Sequence, residues 1–210
     1  MRLPLIVLSS VFLVACGHVT PVRPVPKDTV QLDLSVGGPL VRLGKLSLPV
    51  PLSSAGVRYG MGERYDVSAH AHLTSLTFGV AGLDVGTTYL ARPQEGFIPA
   101  LVVGGRLYGF GNLRDTPRAY LELTGSASTL LGERFCTYVS ASSMLQLAGG
   151  EPLWSLAAGE EIRLGRFGLQ GELRWYEPHI ATRFQAVDWL AVSGRGAWGF
   201  TLGVSFRPGG

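Results

Sequence analysis

Between Val30 and Phe206 the chain repeatedly sets an apolar residue against a small or polar one, a period of two that extended strands use and helices do not. Val30, Leu32, Leu34 and Val36 alternate with Gln31, Asp33 and Ser35. Leu83, Val85, Thr87 and Tyr89 alternate with Asp84, Gly86 and Thr88, and Ala119, Leu121, Leu123 and Gly125 with Arg118, Tyr120, Glu122 and Thr124. The clearest run sets Phe167, Leu169, Gly171, Leu173 and Trp175 against Arg166, Gly168, Gln170, Glu172 and Arg174. The last sets Trp198, Phe200, Leu202, Val204 and Phe206 against Gly199, Thr201, Gly203 and Ser205. Glycine- and proline-bearing turns separate these runs, for example Pro93-Gln94-Glu95-Gly96 and Gly149-Gly150-Glu151-Pro152. The pattern predicts strands at 28–36, 54–60, 65–73, 80–91, 98–110, 117–128, 134–147, 153–164, 166–177 and 195–206.

Many of these segments run to about 9–13 residues, longer than the five or six usual in soluble sheets and close to what a tilted strand needs to cross a bilayer. An even count of about ten (8–12) suits a closed, antiparallel up-and-down β-barrel with both ends of the sheet on one side. With the N-terminus periplasmic, the hairpins near 61–64, 92–97 and 165 are short and fall on the periplasmic side. The longest connections, 37–53 and 178–194, fall outside, the asymmetry of outer-membrane barrels. The 178–194 segment can be read as a helical turn, with Ile180, Phe184, Val187 and Ala191 on one face, or as an additional strand. Glu160 interrupts an apolar face between Ala158 and Ile162, which calls for a bulge near Gly159 or a place near the lipid headgroups.

Of the 210 residues, 16% are charged and 29 are glycine. Soluble domains average roughly 25% charge and about 7% glycine, so this chain does not face water on all sides. A hydrophobic content of 46% rules out a disordered chain, and a scattered net charge of +3 offers no footprint for nucleic acid. A soluble barrel or sandwich would hide its apolar face and stud the other with Lys and Glu. Lys27 and Lys45 are the sole lysines. Tyr89, Trp154, Trp175, Trp198 and Phe206 lie near strand ends on apolar faces, where an interfacial aromatic girdle would sit. The strand at 166–177 separates the two architectures. Inward Gln170, Glu172 and Arg174 mean a membrane barrel; inward Leu169, Leu173 and Trp175 mean a soluble core that binds an apolar ligand.

The N-terminus opens with Arg2 and an apolar stretch from Leu3 to Leu13, too short to span a bilayer and the size of a secretory signal core. Leu13-Val14-Ala15-Cys16 then resembles the lipobox of bacterial lipoprotein signal peptides. That resemblance implies cleavage of residues 1–15, lipid attachment (palmitate included) at Cys16, and handling by the lipoprotein processing and sorting machinery of a Gram-negative envelope. Gly17 in place of an aspartate points to the outer membrane. The mature chain would carry 17 basic and 15 acidic side chains, with residues 16–27 a proline-rich tether to a barrel domain at 28–210. Cys136 is left without an intrachain disulfide partner and is expected to be shielded by the fold.

Val57-Arg58-Tyr59-Gly60-Met61-Gly62-Glu63-Arg64-Tyr65-Asp66-Val67 resembles the strand–tight turn–strand phrase of outer-membrane β-barrel proteins. The final strand, ending at Phe206, resembles the aromatic-terminated strand read by the barrel-assembly machinery, although Arg207-Pro208-Gly209-Gly210 follow it. These resemblances imply outer-membrane lipid as surroundings and a structural or minor transport role.

For a barrel this narrow, Arg118, Glu122, Glu161, Arg163, Glu172 and Arg174 would project inward, where they could pair across neighbouring strands. His70 and His72 share a face beside Asp66 and Ser68, with Asp84 on the next strand. This is a polar lining, or a weak candidate for metal, or, with Ser68 or Ser75 as nucleophile, for a hydrolase acting on membrane lipid. His18 and His179 carry no motif. The Gly104-Gly105 and Gly109-x-Gly111 pairs lack the following helix that phosphate binding needs. No cofactor and no catalytic residue is implied, and oligomeric state is not encoded in any motif.

Overall fold

The computed structural model describes residues 17–44, 46–112, 117–182 and 187–208. Eleven strands are formed: β1 (Val30–Leu43), β2 (Leu46–Pro49), β3 (Leu52–Gly60), β4 (Tyr65–His72), β5 (Ala81–Arg92), β6 (Ala100–Gly111), β7 (Arg118–Leu131), β8 (Phe135–Gln146), β9 (Leu153–Leu164), β10 (Phe167–Ala181) and β11 (Arg195–Phe206). Among the described residues there is one short helix, α1 (Leu73–Thr77), between β4 and β5. β1 pairs antiparallel with β3, each strand from β3 to β10 pairs antiparallel with the next, and β1 closes the ring on β11 from Leu32↔Phe206 to Pro39↔Gly199. The result is an all-β, ten-stranded, closed up-and-down barrel. β2 pairs with the far end of β1 alone and stands outside the ring as a hairpin, so the extra strand lies in the 37–53 connection and the ring stays even.

One end of the barrel carries the short β3–β4, β5–β6, β7–β8 and β9–β10 turns, together with the start of β1 and the end of β11. The other carries the β1–β2 hairpin, α1 and the longer connections. Residues 187–192 are strung along the β1 extension there: Arg42 N–H donates to Asp188 O at 2.8 Å and Leu190 N–H to Leu40 O at 2.8 Å. Among the described residues of 178–194 there is no helical turn; Ile180 belongs to β10, and Phe184 lies outside the described residues. The β9 register is continuous on both sides, Thr137↔Glu160 and Gly171↔Glu160, so there is no bulge at Gly159. Glu160 is simply exposed on the outer wall.

The faces are sorted inside out. On β10, Glu172 and Arg174 are 1% and 5% exposed, while Leu169 and Leu173 are 44% and 52% exposed. The same inversion runs through β1, where Gln31 and Ser35 are buried beneath exposed Leu32, Leu34 and Val36. On β5, Asp84 and Thr88 are buried beneath exposed Leu83, Val85 and Tyr89. Aromatic rings gather at the two rims of the wall. Tyr65 pairs with Tyr89 and Phe167 packs on Phe206 (centroids 4.9 Å) at the turn end. Trp175 stacks on Trp198 (5.9 Å) towards the loop end, and Trp154 is exposed on the adjacent strand β9.

The proline-rich segment expected as a tether is packed: residues 17–25 run inside the barrel, with His18, Thr20, Val22 and Val25 buried, while Pro26 and Lys27 are exposed. A parallel bridge between Lys27 and Gly60 marks the turn end of this path. The physical reason lies in its composition. Pro21, Pro24 and Pro26 keep the chain extended and offer no N–H, so a narrow lumen has fewer backbone donors to satisfy.

Candidate functional site

The barrel interior is a continuous polar network built between the inner wall and residues 17–27. Inward positions recur every second residue along each strand, so the even-numbered side chains of β7 and β10 converge on the axis. At mid-height Thr20 is held on three sides. Its N–H donates to Glu172 Oε2 at 3.0 Å, its carbonyl accepts from Gln170 Nε2 at 2.8 Å, and its hydroxyl accepts from Arg174 Nη2 at 3.1 Å. Glu172 also takes Arg174 Nη2 at 2.8 Å and the Tyr138 hydroxyl at 2.9 Å.

Towards the loop end, His18 sits against Tyr108 (centroids 5.9 Å), its Nε2 3.5 Å from Glu122 Oε2. Tyr108 in turn donates to Glu122 at 2.5 Å. Towards the turn end, Arg23 reaches Gln94 Oε1 at 2.6 Å and Ser128 Oγ at 3.3 Å. The Val25 N–H donates to Asp66 Oδ2 at 2.7 Å, and Asp66 is also ion-paired with Arg58. Arg58 further donates to the Arg23 carbonyl at 2.8 Å. Below the strand ends Arg207 donates to Gln31 Oε1 at 2.9 Å. Burial draws its guanidinium below the ordinary range, against the pull of Glu161.

The structure brings His70, His72 and Asp84 together. His70 Nδ1 lies 3.1 Å from Asp84 Oδ1 and His72 Nε2 2.9 Å from Asp84 Oδ2. Arg106 Nη1 donates to the same Oδ1 at 3.1 Å, so a guanidinium already occupies the cationic place beside the carboxylate. Among the described residues no group of three His, Cys, Asp or Glu side chains is arranged to hold a metal ion. Ser75, one proposed nucleophile, instead donates to the His72 carbonyl at 2.8 Å.

The six inward charges are distributed differently from the expected cross-strand pairing. Glu172–Arg174 and Glu161–Arg163 (2.8 and 3.1 Å) pair two residues apart on one strand. Arg174 also approaches Glu122 at 3.9 Å from across the lumen. Arg118 is half-buried at the loop end of β7. Cys136 is fully buried and packs with Val22 and Tyr138. Cys16 lies outside the described residues.

Sequence reasoning placed Asp66 on the polar lining beside His70 and His72, but missed its partner Arg58, Tyr108, Tyr138 and residues 17–25 as parts of this network. Asp66 and Arg58 are inward by parity, a signal the alternation held. Nothing local marked what would fill the space between them. Three gaps between the segment and the wall measure about 50, 20 and 30 Å³, each room for one to a few waters.

No family model matches this chain, and no curated protein matches it either. Solved structures similar to it include a de novo designed transmembrane β-barrel (TM-score 0.39, 13% identity, covering 88% of this chain and 98% of that one). The NanC porin is similar over 83% of this chain and 98% of that one (TM-score 0.47, 11% identity). The translocator domain of the autotransporter NalP from Neisseria meningitidis is similar over 98% of this chain and 94% of that one (TM-score 0.45, 10% identity).

Proposed function

We propose that this chain is an outer-membrane β-barrel protein, lipid-anchored at Cys16, whose role in the envelope is structural rather than catalytic and whose lumen is held shut by its own residues 17–27. The observation that carries this reading is the inversion of β10, with Glu172 and Arg174 inside and Leu169 and Leu173 outside. Monomeric soluble proteins rarely present an apolar patch above a few hundred Å² to water, whereas a hydrocarbon surround asks for such a band bounded by aromatic rims. A soluble lipoprotein binding an apolar ligand would need the apolar faces turned inward, and they are turned outward.

A lipid hydrolase on the wall would need His70 or His72 to meet the bilayer. Both are buried in the lumen against Asp84 and Arg106, on the side away from acyl chains. A minor transport role requires the segment to leave, because it occupies the lumen through buried bonds at Thr20 and Val25. The partners of this reading are outer-membrane lipid, the lipoprotein processing and sorting machinery, and the barrel-assembly machinery.

The test is the behaviour of a Cys16→Ser protein that carries no lipid. It should still require detergent and migrate on gels with heat-modifiable mobility. If it is soluble without detergent, the membrane reading fails. In planar bilayers the intact protein should be electrically silent and a protein lacking residues 17–26 should conduct. A silent deletion protein would remove the role assigned to the segment.

A further inference from the structure

The direction in which residues 17–27 cross the lumen has a consequence for the anchor. Lys27 is bridged to Gly60 at the turn end, and Asp28 N–H donates to Gly60 O at 2.8 Å. Ten residues earlier, the Gly17 carbonyl accepts from Ser35 Oγ at 2.5 Å, and a Cβ on Gly17 would stand 2.3 Å from the carbonyl oxygen of Leu52. Leu52 and Gly60 are the two ends of β3. Eight steps of about 3.3 Å separate them, roughly 26 Å along the strand or about 20 Å along the axis at a tilt of about 40°. Between these levels the segment is fixed at Thr20 and Val25 by buried carboxylates. The chain therefore enters from the loop end and descends to the turn end before β1 begins.

An acyl chain on the residue before Gly17 does not suit the lumen, which is lined by buried polar and charged side chains and whose gap beside residues 18–24 is about 50 Å³. It cannot reach the leaflet at the turn end without drawing the segment out of its hydrogen bonds. We propose that the barrel closes around its own N-terminal segment, so that the acylated terminus is delivered to the loop end and anchors in the leaflet on that side. The occupant of that site is a diacylglyceryl-type lipid on Cys16, and this inference rests on the lipid-anchored reading given above.

The experiment uses the full chain in cells fed an alkyne-tagged fatty acid. Thr20 Oγ1 and Ser140 Oγ are 3.2 Å apart, so Thr20→Cys with Ser140→Cys, in a Cys136→Ser background, should form a disulfide when the segment is threaded. The expected result is that the oxidised, cross-linked species carries the acyl label. Label confined to the uncross-linked fraction, or no label at all, overturns the proposal. Heat-modifiable mobility of the same sample shows separately whether the barrel itself has formed.

The side is read with an impermeant amine reagent on intact cells. With Lys45→Arg, Lys27 is the sole lysine of the mature chain, and it lies at the turn end. A Ser-Lys-Ser insertion after Cys16 should label on intact cells while Lys27 labels only after lysis. A Glu151→Lys protein, altered in the β8–β9 connection at the loop end, fixes the orientation. If Glu151→Lys labels and the insertion does not, the threading proposal is overturned. If the Glu151→Lys protein is also silent on intact cells, the assigned orientation of the barrel has failed, and the surface anchor fails with it.

Discussion

The backbone N–H of Thr20 donates a 3.0 Å hydrogen bond to Oε2 of Glu172, 152 residues further along the chain. The bond ties the N-terminal segment to the penultimate strand and completes the coordination of a carboxylate that Arg174 and Tyr138 also hold. Buried charge is tolerated only with such partners, and losing one partner costs more than losing both. Glu172→Ala leaves the Arg174 guanidinium buried beside a vacated carboxylate site and should cost about 3–5 kcal/mol. Replacing both, with Glu172→Leu and Arg174→Met, should cost clearly less than the single change. The temperature at which heat-modifiable mobility is lost measures both.

The outer wall makes the opposite demand. Leu173 is exposed at mid-strand between Phe200 and Ala158, where a charge would meet hydrocarbon. Leu173→Arg should destabilise by about 2–4 kcal/mol, the range for a cation at bilayer mid-depth. Glu160, exposed four residues from the turn end of β9, should behave differently: Glu160→Leu should gain up to about 1 kcal/mol. Reversible denaturant unfolding in lipid vesicles tests the pair. A neutral Leu173→Arg would mean that the wall does not face lipid.

Period two was enough to place Leu169 and Glu172 on opposite faces, because strand geometry makes facing a local property. Which of those faces is inside is not local, since a soluble and a membrane barrel share the alternation; low charge and few lysines tipped the reading before the structure decided it. Glu160 looked like a fault in the register because an apolar face seemed to forbid a carboxylate. The wall keeps its register and carries the exposed charge four residues from the turn end of β9. Residues 17–27 were illegible for a different reason. Their prolines match a linker's composition, and their partners, Asp66 and Glu172, are about 40 and 150 residues away. The His70–Asp84–His72 grouping followed from parity and strand order, while Arg106, which occupies the cationic position there, came from a strand further on.

Cys136 offers a direct report on the segment. Its thiol is fully buried and packs on Val22, whose removal would open the lumen beside it. A maleimide should fail to modify the folded protein and should modify it after heat unfolding. With residues 17–26 deleted but the barrel still heat-modifiable, modification should quicken by more than about tenfold, the factor corresponding to about 1.4 kcal/mol of docking free energy. Equal rates in the intact and deleted proteins would mean that the segment does not shield the thiol.

Gly60 should be the most sensitive glycine for closure. A Cβ there would stand 2.0 Å from the Pro26 carbonyl oxygen and 2.6 Å from that of Val25, backbone atoms that cannot swing aside. Gly60→Ala should therefore push residues 25–26 away from the wall and strain the Asp28 N–H to Gly60 O and Gly60 N–H to Thr29 O hydrogen bonds that seat the segment. Gly132 supplies the contrast, with a φ of +66° and nothing within 4 Å of an added Cβ. Gly132→Ala should cost about 1–2 kcal/mol of stability through its left-handed backbone and leave the lumen untouched. Faster Cys136 modification and single-channel current should accordingly appear in Gly60→Ala and be absent from Gly132→Ala. If the two proteins behave alike, the Gly60–Pro26 contact does not hold the segment in place.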